Sequence, residues 1–289
     1  MVASALITGL GLGSMYGLLA LGFYITYSVS STVNFAQGSS MMLGAVLAYT
    51  FAITLGWPML PAALAALALC ALYGVIVELL AVRPFARRGS SAWLIATVAL
   101  GIIADNTVLF TFGKEPRGFH MPWAGSSLQL GELNISALQI VIPIAGLGLA
   151  TALHFFSTRT KYGKALLAVV QNPDAARLIG INVPLAIAGA YAASTLFAGA
   201  AGIMIAPLFN VHSDMGTLFG LKAFAVAILG GITSAWGVML AGLIFGVTES
   251  LITALFGSAY TQIVTFTLVI VALAAMPRGL FGRAEVKKV

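Results

Sequence analysis

The chain has 289 residues, of which 60% are hydrophobic and 8% charged, with a net charge of +6 and a mean hydropathy of +1.04. Soluble domains carry about 25% charged residues, so this composition excludes a solvated globule and requires lipid-facing surface. The apolar runs are long and continuous rather than alternating over segments of about 10 residues, which excludes a membrane β-barrel and predicts an all-α, polytopic transmembrane helical bundle forming a single domain over residues 1–289.

The opening MVASALITGL has no Lys or Arg ahead of its apolar stretch. It reads as a first membrane helix rather than a cleavable signal with a basic start. Spans are expected near 5–27, 39–55, 60–82, 93–112, 137–156, 185–208, 220–232, 237–256 and 262–276, eight to ten helices in all. Two of them, 39–55 and 220–232, are short for a full crossing. Gly9, Gly13 and Gly17 recur every four residues, as do Gly242 with Gly246 and Ala198 with Gly202. Small residues at that spacing let helix backbones approach closely in a membrane. The single cysteine, Cys70, lies inside an apolar run and excludes an intrachain disulfide.

Two polar breaks interrupt the apolar pattern. The first, over residues 28–40, contains Asn34, Gln37, Ser39 and Ser40; the second is Gly230, Gly231, Thr233 and Ser234. Helices break inside a bilayer only where protein or water satisfies the freed backbone. Each break therefore either lines a polar path or is a plain turn. Two apolar spans follow each break, and the stretches then end in Arg83-Pro84 and Pro277-Arg278. This suggests an internal repeat, parallel or inverted. Within the spans lie Asp105, Asn106 and Glu249, with Lys222 at the start of an apolar stretch. Such residues face the bundle interior or water, either in structural pairs or along a transport path.

Basic residues cluster as Arg83, Arg87 and Arg88; as Arg159, Lys161, Lys164 and Arg177; and as Arg278, Arg283, Lys287 and Lys288. With nine spans all three clusters fall on one side, the cytoplasmic one by the positive-inside rule, and the N-terminus falls outside. The neutral 113–136 loop is then external. The connection at about 157–183 breaks at Pro173, where Asn172 can cap a second short helix, with Asp174 in its first turn and Gly180 ending it. An amphipathic helix there suits a groove on a partner. The chain carries no phosphate loop, no H-E-x-x-H and no G-x-S-x-G, and no catalytic constellation can be assembled, so an enzyme is not the expectation.

Several segments together resemble the inner-membrane permease subunits of bacterial branched-chain amino acid ABC transporters, the Liv-type uptake systems. They are Gly13-Ser14-x-Tyr16-x-Leu18-x-Ala20-Leu21-Gly22, Val33 to Gly38, Arg83-Pro84, Gly163 to Asn182, Lys222-Ala223-Phe224, Leu229-Gly230-Gly231 and the tail Gly282 to Val289. The resemblance runs nearly end to end. It implies a type II-like importer permease in the bacterial inner membrane. It further implies a second related permease, or a second copy, and two cytoplasmic ATPase subunits that bind ATP and Mg. A periplasmic solute-binding protein completes the set, and this chain itself holds no cofactor. The 163–182 loop then matches the coupling element, with Gly163, Asp174, Arg177, Leu178, Ile179, Gly180 and Ile181 at the ATPase contact. The resembling family often has Asn-Phe-Ala-His-Gly-Glu where this chain has Gln37 and Ser39, so urea, short amides or other small amino and organic acids stand beside branched-chain amino acids as solutes. A stand-alone secondary transporter or channel is the reading from a different class; it would make Asp105 or Glu249 essential for ion coupling.

Overall fold

The computed structural model describes residues 2–86, 88–119, 127–130, 133–276 and 279–281. Arg87, Glu132, Arg278 and the 282–289 tail, with Arg283, Lys287 and Lys288, lie outside the described residues. The chain folds as α1 (Val2–Ser30), α2 (Gln37–Tyr49), α3 (Met59–Val77), α4 (Arg83–Ala86), α5 (Trp93–Phe112), α6 (Ala137–Arg159), α7 (Lys161–Gln171), α8 (Pro173–Leu178), α9 (Val183–Ile205), α10 (Met215–Gly230), α11 (Ala235–Phe256) and α12 (Ser258–Ala275). The only strands among the described residues, β1 (Ser127–Leu130) and β2 (Leu133–Ser136), pair antiparallel in the loop before α6. Among the described residues seven helices are long and apolar enough to cross a membrane, and α2 and α10 complete a set of nine.

Two π-helical turns extend the pattern. Thr50–Thr54 continues α2, and Glu78–Val82 joins α3 to α4 in one helix from Met59 to Ala86. Pro84 explains the second, because it can neither donate to the residue four back nor avoid that residue's carbonyl. The wider turn aligns residues five apart. Arg83 thus donates to Glu78 through Nε to Oε1 at 2.9 Å and through Nη2 to Oε2 at 2.7 Å.

Sidedness follows from a few contacts. Arg83 Nη2 reaches the Pro184 carbonyl at 3.5 Å, and His154 near the end of α6 meets Trp236 at the start of α11. Arg83 and Arg88 thus share one face, the basic face, with the cluster over residues 159–177. On the opposite face Arg117 and Val211 exchange backbone hydrogen bonds, and Tyr49 packs against Phe112 and Phe119.

The core is a pair of interlocked triplets, α1–α2–α3 and α9–α10–α11. Helix α1 runs antiparallel along α11 as α9 runs along α3, while α2 packs on α9 as α10 packs on α1. Glycines permit each contact. A Cβ on Gly246 would lie 2.2 Å from Gly13 N, one on Gly242 2.6 Å from Gly17 Cα, and one on Gly202 2.0 Å from the Met41 carbonyl. Helices α1 and α9 run in opposite directions, so the repeat is inverted. Its matching breaks are 31–36 and 206–214. The Gly-rich 230–235 stretch, which the sequence pattern matches to the first break, is instead the α10–α11 turn. Buried α1 sits at the centre, and α5, α6 and α12 form the periphery, with 22%, 11% and 17% of their most apolar stretches buried.

Candidate functional site

After α1 ends, Ser31 adopts a left-handed conformation (φ +53°) and turns the chain back into the bundle. Asn34 stabilises the return: its Oδ1 accepts from Ala36 N at 3.0 Å and its carbonyl from Gln37 N at 3.2 Å. Helix α2 therefore begins inside the bundle, beside Leu19 and Gly22 of α1. Helix α10 begins the same way after 206–214. The two first turns meet at Gly38 and Gly216, where an added Cβ would lie 2.3 Å and 2.1 Å from the opposite carbonyl. Two helix N-termini, each with a partial positive charge, thus cross within the membrane-spanning region.

Three polar groups surround this crossing. On the α1–α9 side, Gln37 Nε2 donates to the Ser194 carbonyl at 3.0 Å and to the Leu19 carbonyl at 3.4 Å. Ser194 Oγ lies 2.9 Å from both the Gly22 carbonyl and Gln37 Oε1, and Asn34 Nδ2 reaches Gln37 Oε1 at 3.4 Å. Asn34, Gln37 and Ser40 are fully buried. Below them Thr32 bonds the Tyr191 hydroxyl at 2.7 Å.

On the α5 side, Gly101 lets α5 approach Ser39 and Ala36. The half-buried Asp105 carboxyl interacts with the Ser39 hydroxyl and feels the charge of Asp214 at the start of α10. Its Oδ1 is enclosed and has no hydrogen-bond partner among the described residues. Asn106 turns outward, its Nδ2 donating to the Ile102 carbonyl at 2.8 Å.

On the α11 side, buried Lys222 pairs with Glu249 and donates to the Tyr16 hydroxyl at 3.4 Å. Glu249 Oε2 has no partner among the described residues. This triad joins α1, α10 and α11. Lys222 pairs with an acid rather than reaching the membrane surface.

The remaining candidates sit elsewhere. Gly230 closes onto Val238, Gly231 takes φ +80°, and Ser234 Oγ accepts from Gly237 N at 3.2 Å. These residues and exposed Thr233 form a turn at the basic face, about 21 Å along α10 from Gly216 at 1.5 Å per residue. On the same face, Gly163 folds α7 against Phe156 and Ser157. Asn172 Oδ1 accepts from Asp174 N and Ala175 N, each at 3.0 Å, and Gly180 (φ +86°) ends the α8 turn. Arg177 pairs with Asp174 on this helix at 2.8 Å. Leu178 and Ile179 project outward, 89% and 73% exposed, whereas Ile181 is partly buried.

Sequence reasoning missed Tyr16, Thr32, Glu78, Tyr191 and Ser194. Only Glu78 carried a signal, an acid in an apolar run five residues before Arg83. Among the described residues no group of three His, Cys, Asp or Glu side chains could hold a metal. The crossing offers dipoles, amides and carboxylates, which suit recognition and movement rather than bond-making.

The family described as branched-chain amino acid transport system / permease component matches residues 5–273. The high-affinity branched-chain amino acid transport system permease protein LivH of Escherichia coli K12 is 32% identical, over 97% of this chain and 96% of its own. BraD of Pseudomonas aeruginosa, with the same description, is 31% identical over 98% and 97%. The galactose/methyl galactoside import permease MglC of Salmonella typhimurium is 28% identical over 67% of this chain and 57% of its own. Among solved structures, PsaBC from Streptococcus pneumoniae in complex with Fab shares the fold at a TM-score of 0.50 and 14% identity, covering 94% of this chain and 90% of that one.

Proposed function

Because the chain belongs to the branched-chain amino acid transport system permease family, we infer that it is the membrane-spanning permease subunit of an ATP-driven importer that translocates branched-chain amino acids. It is a multi-pass membrane protein and not itself an enzyme. In this reading a solute-binding protein delivers the amino acid to the face carrying the 113–136 loop. Two separate ATPase subunits with ATP and Mg engage the basic face, which is then cytoplasmic and places the N-terminus outside. A second related permease completes the path.

The observation that carries the ATP-driven reading is α8. A capped six-residue helix with two exposed aliphatic side chains at its end is costly in water and suits a groove on a partner. Nucleotide-dependent engagement there shifts the balance between two permease conformations only if the ATPases bind one of them more tightly. The α2–α10 crossing is the element such a shift would move, since helices that begin inside the bundle have fewer backbone ties than full spans.

Gln37 bears on the solute. It stands where the family pattern has a histidine, and its amide is committed to Leu19, Ser194 and Asn34. That substitution therefore supports a locally neutral packing change rather than a change of solute. Ser39 and Asp105 remain as groups with capacity for a polar ligand.

The test is uptake of labelled leucine, isoleucine and valine into vesicles containing this chain with its companion subunits and binding protein. Uptake should require ATP hydrolysis, and Leu178→Asp should cut both uptake and ATPase association by at least tenfold. Uptake that proceeds without nucleotide would replace this reading with a stand-alone transporter. Competition by urea or acetamide but not by leucine would move the solute class.

A further inference from the structure

We propose that a groove on the basic face, between α1, α6, α7, α9 and α11, binds an anionic membrane phospholipid. One acyl chain lies in the groove, and Arg159, Lys161 and Lys164 hold the phosphate.

The groove encloses about 790 Å³, within the range of about 300–1,000 Å³ expected of a site for a small organic molecule. Its walls include Leu21, Ile25, Leu153, Leu166, Ala193 and Phe197. None of its lining residues belongs to α2, α5, α10 or α12, so it is separate from the α2–α10 crossing and from the solute path inferred above. Along α9 it runs from Leu185 to Phe197, about 18 Å at 1.5 Å per residue. Half of a hydrocarbon core of about 30 Å is about 15 Å. The groove is as deep as one leaflet, which fits a lipid tail and not a helix that crosses both.

Polar side chains are concentrated at the mouth. There Ser28, His154, Ser157, Tyr162 and Asn182 line the groove, with Tyr24 one turn deeper on α1, and exposed Arg159, Lys161 and Lys164 follow Ser157 or flank Tyr162 in sequence. No Asp or Glu occurs between residues 137 and 173. Among the described residues these three cations have no ion-pair partner; Arg159 rests over the Phe155 ring at 5.6 Å. Helix α7 contacts α1, α6 and α9, so its apolar side closes the groove while Lys161 and Lys164 stay at the membrane surface. Basic pockets of this kind, at the headgroup level between transmembrane helices, select anionic lipids. Gly189 faces open space: a Cβ there would meet nothing within 4 Å.

The experiment uses the assembled complex in phosphatidylcholine vesicles with a minor fraction of lipid brominated on its chains, either phosphatidylglycerol or phosphatidylcholine. The fluorescence of Trp236, which lines the groove, is read as the difference between wild type and Trp236→Phe. Brominated phosphatidylglycerol should quench it with a preference of at least about tenfold over the zwitterionic lipid, as the three nearby basic groups supply. Arg159→Gln with Lys161→Gln and Lys164→Gln should abolish that preference, and Gly189→Phe should reduce quenching by both lipids. If Gly189→Phe does not assemble, the charge variant decides alone. Equal quenching by the two lipids, unchanged by the charge variant, would overturn the proposal in favour of ordinary bilayer contact. Absence of quenching, with a photo-crosslinker at Leu185 joining a companion permease, would overturn it in favour of a protein occupant.

Discussion

At the scale of single residues, the Lys222–Glu249 pair is the sharpest energetic feature. Both side chains are buried, and they bridge α10 to α11 with Tyr16 of α1 alongside. Removing one partner strands the other in a medium of low dielectric, at a cost of about 3–5 kcal/mol, while replacing both with apolar residues is often neutral. Glu249→Gln should therefore lower the thermal unfolding midpoint of the detergent-solubilised complex, and Lys222→Met with Glu249→Leu should recover most of the loss. A double variant less stable than the single one would show that the pair is not a closed unit. Asn34 and Gln37 read differently from Asp105. Their amides are committed to the backbone at the helix break, so Asn34→Leu acts first on the start of α2. Asp105 keeps an enclosed oxygen with no partner among the described residues.

At the scale of elements, local chemistry was legible where it is local. Pro173, Asn172 and Gly180 specified α8 and its two ends from sequence alone, because capping and left-handed turns depend on neighbours a few residues away. Asn172→Ala should destabilise α8 by about 1 kcal/mol and increase amide hydrogen exchange over residues 173–178 without changing α7. Equal protection in variant and wild type would mean that packing, not the cap, holds the helix. The two π-helical turns were not legible: an inserted residue rotates the following side chains by about 100°, but the flanking helices are apolar on nearly every face, so no stripe is visibly displaced. The starting depths of α2 and α10 were also hidden. They depend on Gly38 meeting Gly216 across 178 positions of sequence, and no local signal encodes that contact. For the same reason the composition-based pairing of breaks chose 230–235, a Gly-rich turn, over 206–214.

At the scale of the whole molecule, the interlocked triplets explain why α1 is apolar all round and glycine-rich, and why the helices outside the triplets are left with uncovered faces. Those faces are not equivalent. Helix α5 turns Asn106 outward near its middle; Nδ2 satisfies one donor on the Ile102 carbonyl. An amide at that depth is costly against lipid and favourable against another polar surface. The same helix carries Asp105 toward Ser39 and the crossing. Helix α5 is thus the peripheral span with a polar route from the outside of this chain to the α2–α10 contact. A companion permease covering α5 would enclose that route between two subunits. A photo-crosslinker placed at Ile102 should label the companion permease in the assembled transporter, while one at Ile144 on α6, 66% exposed, should label lipid. Asp105→Asn should then weaken apparent affinity for an amino acid at least tenfold while leaving the unfolding midpoint within about 1 °C of wild type, because a half-buried carboxyl lacking a full set of partners adds little to folding. Labelling of lipid from Ile102, with unchanged uptake in Asp105→Asn, would place the path on another face of the bundle.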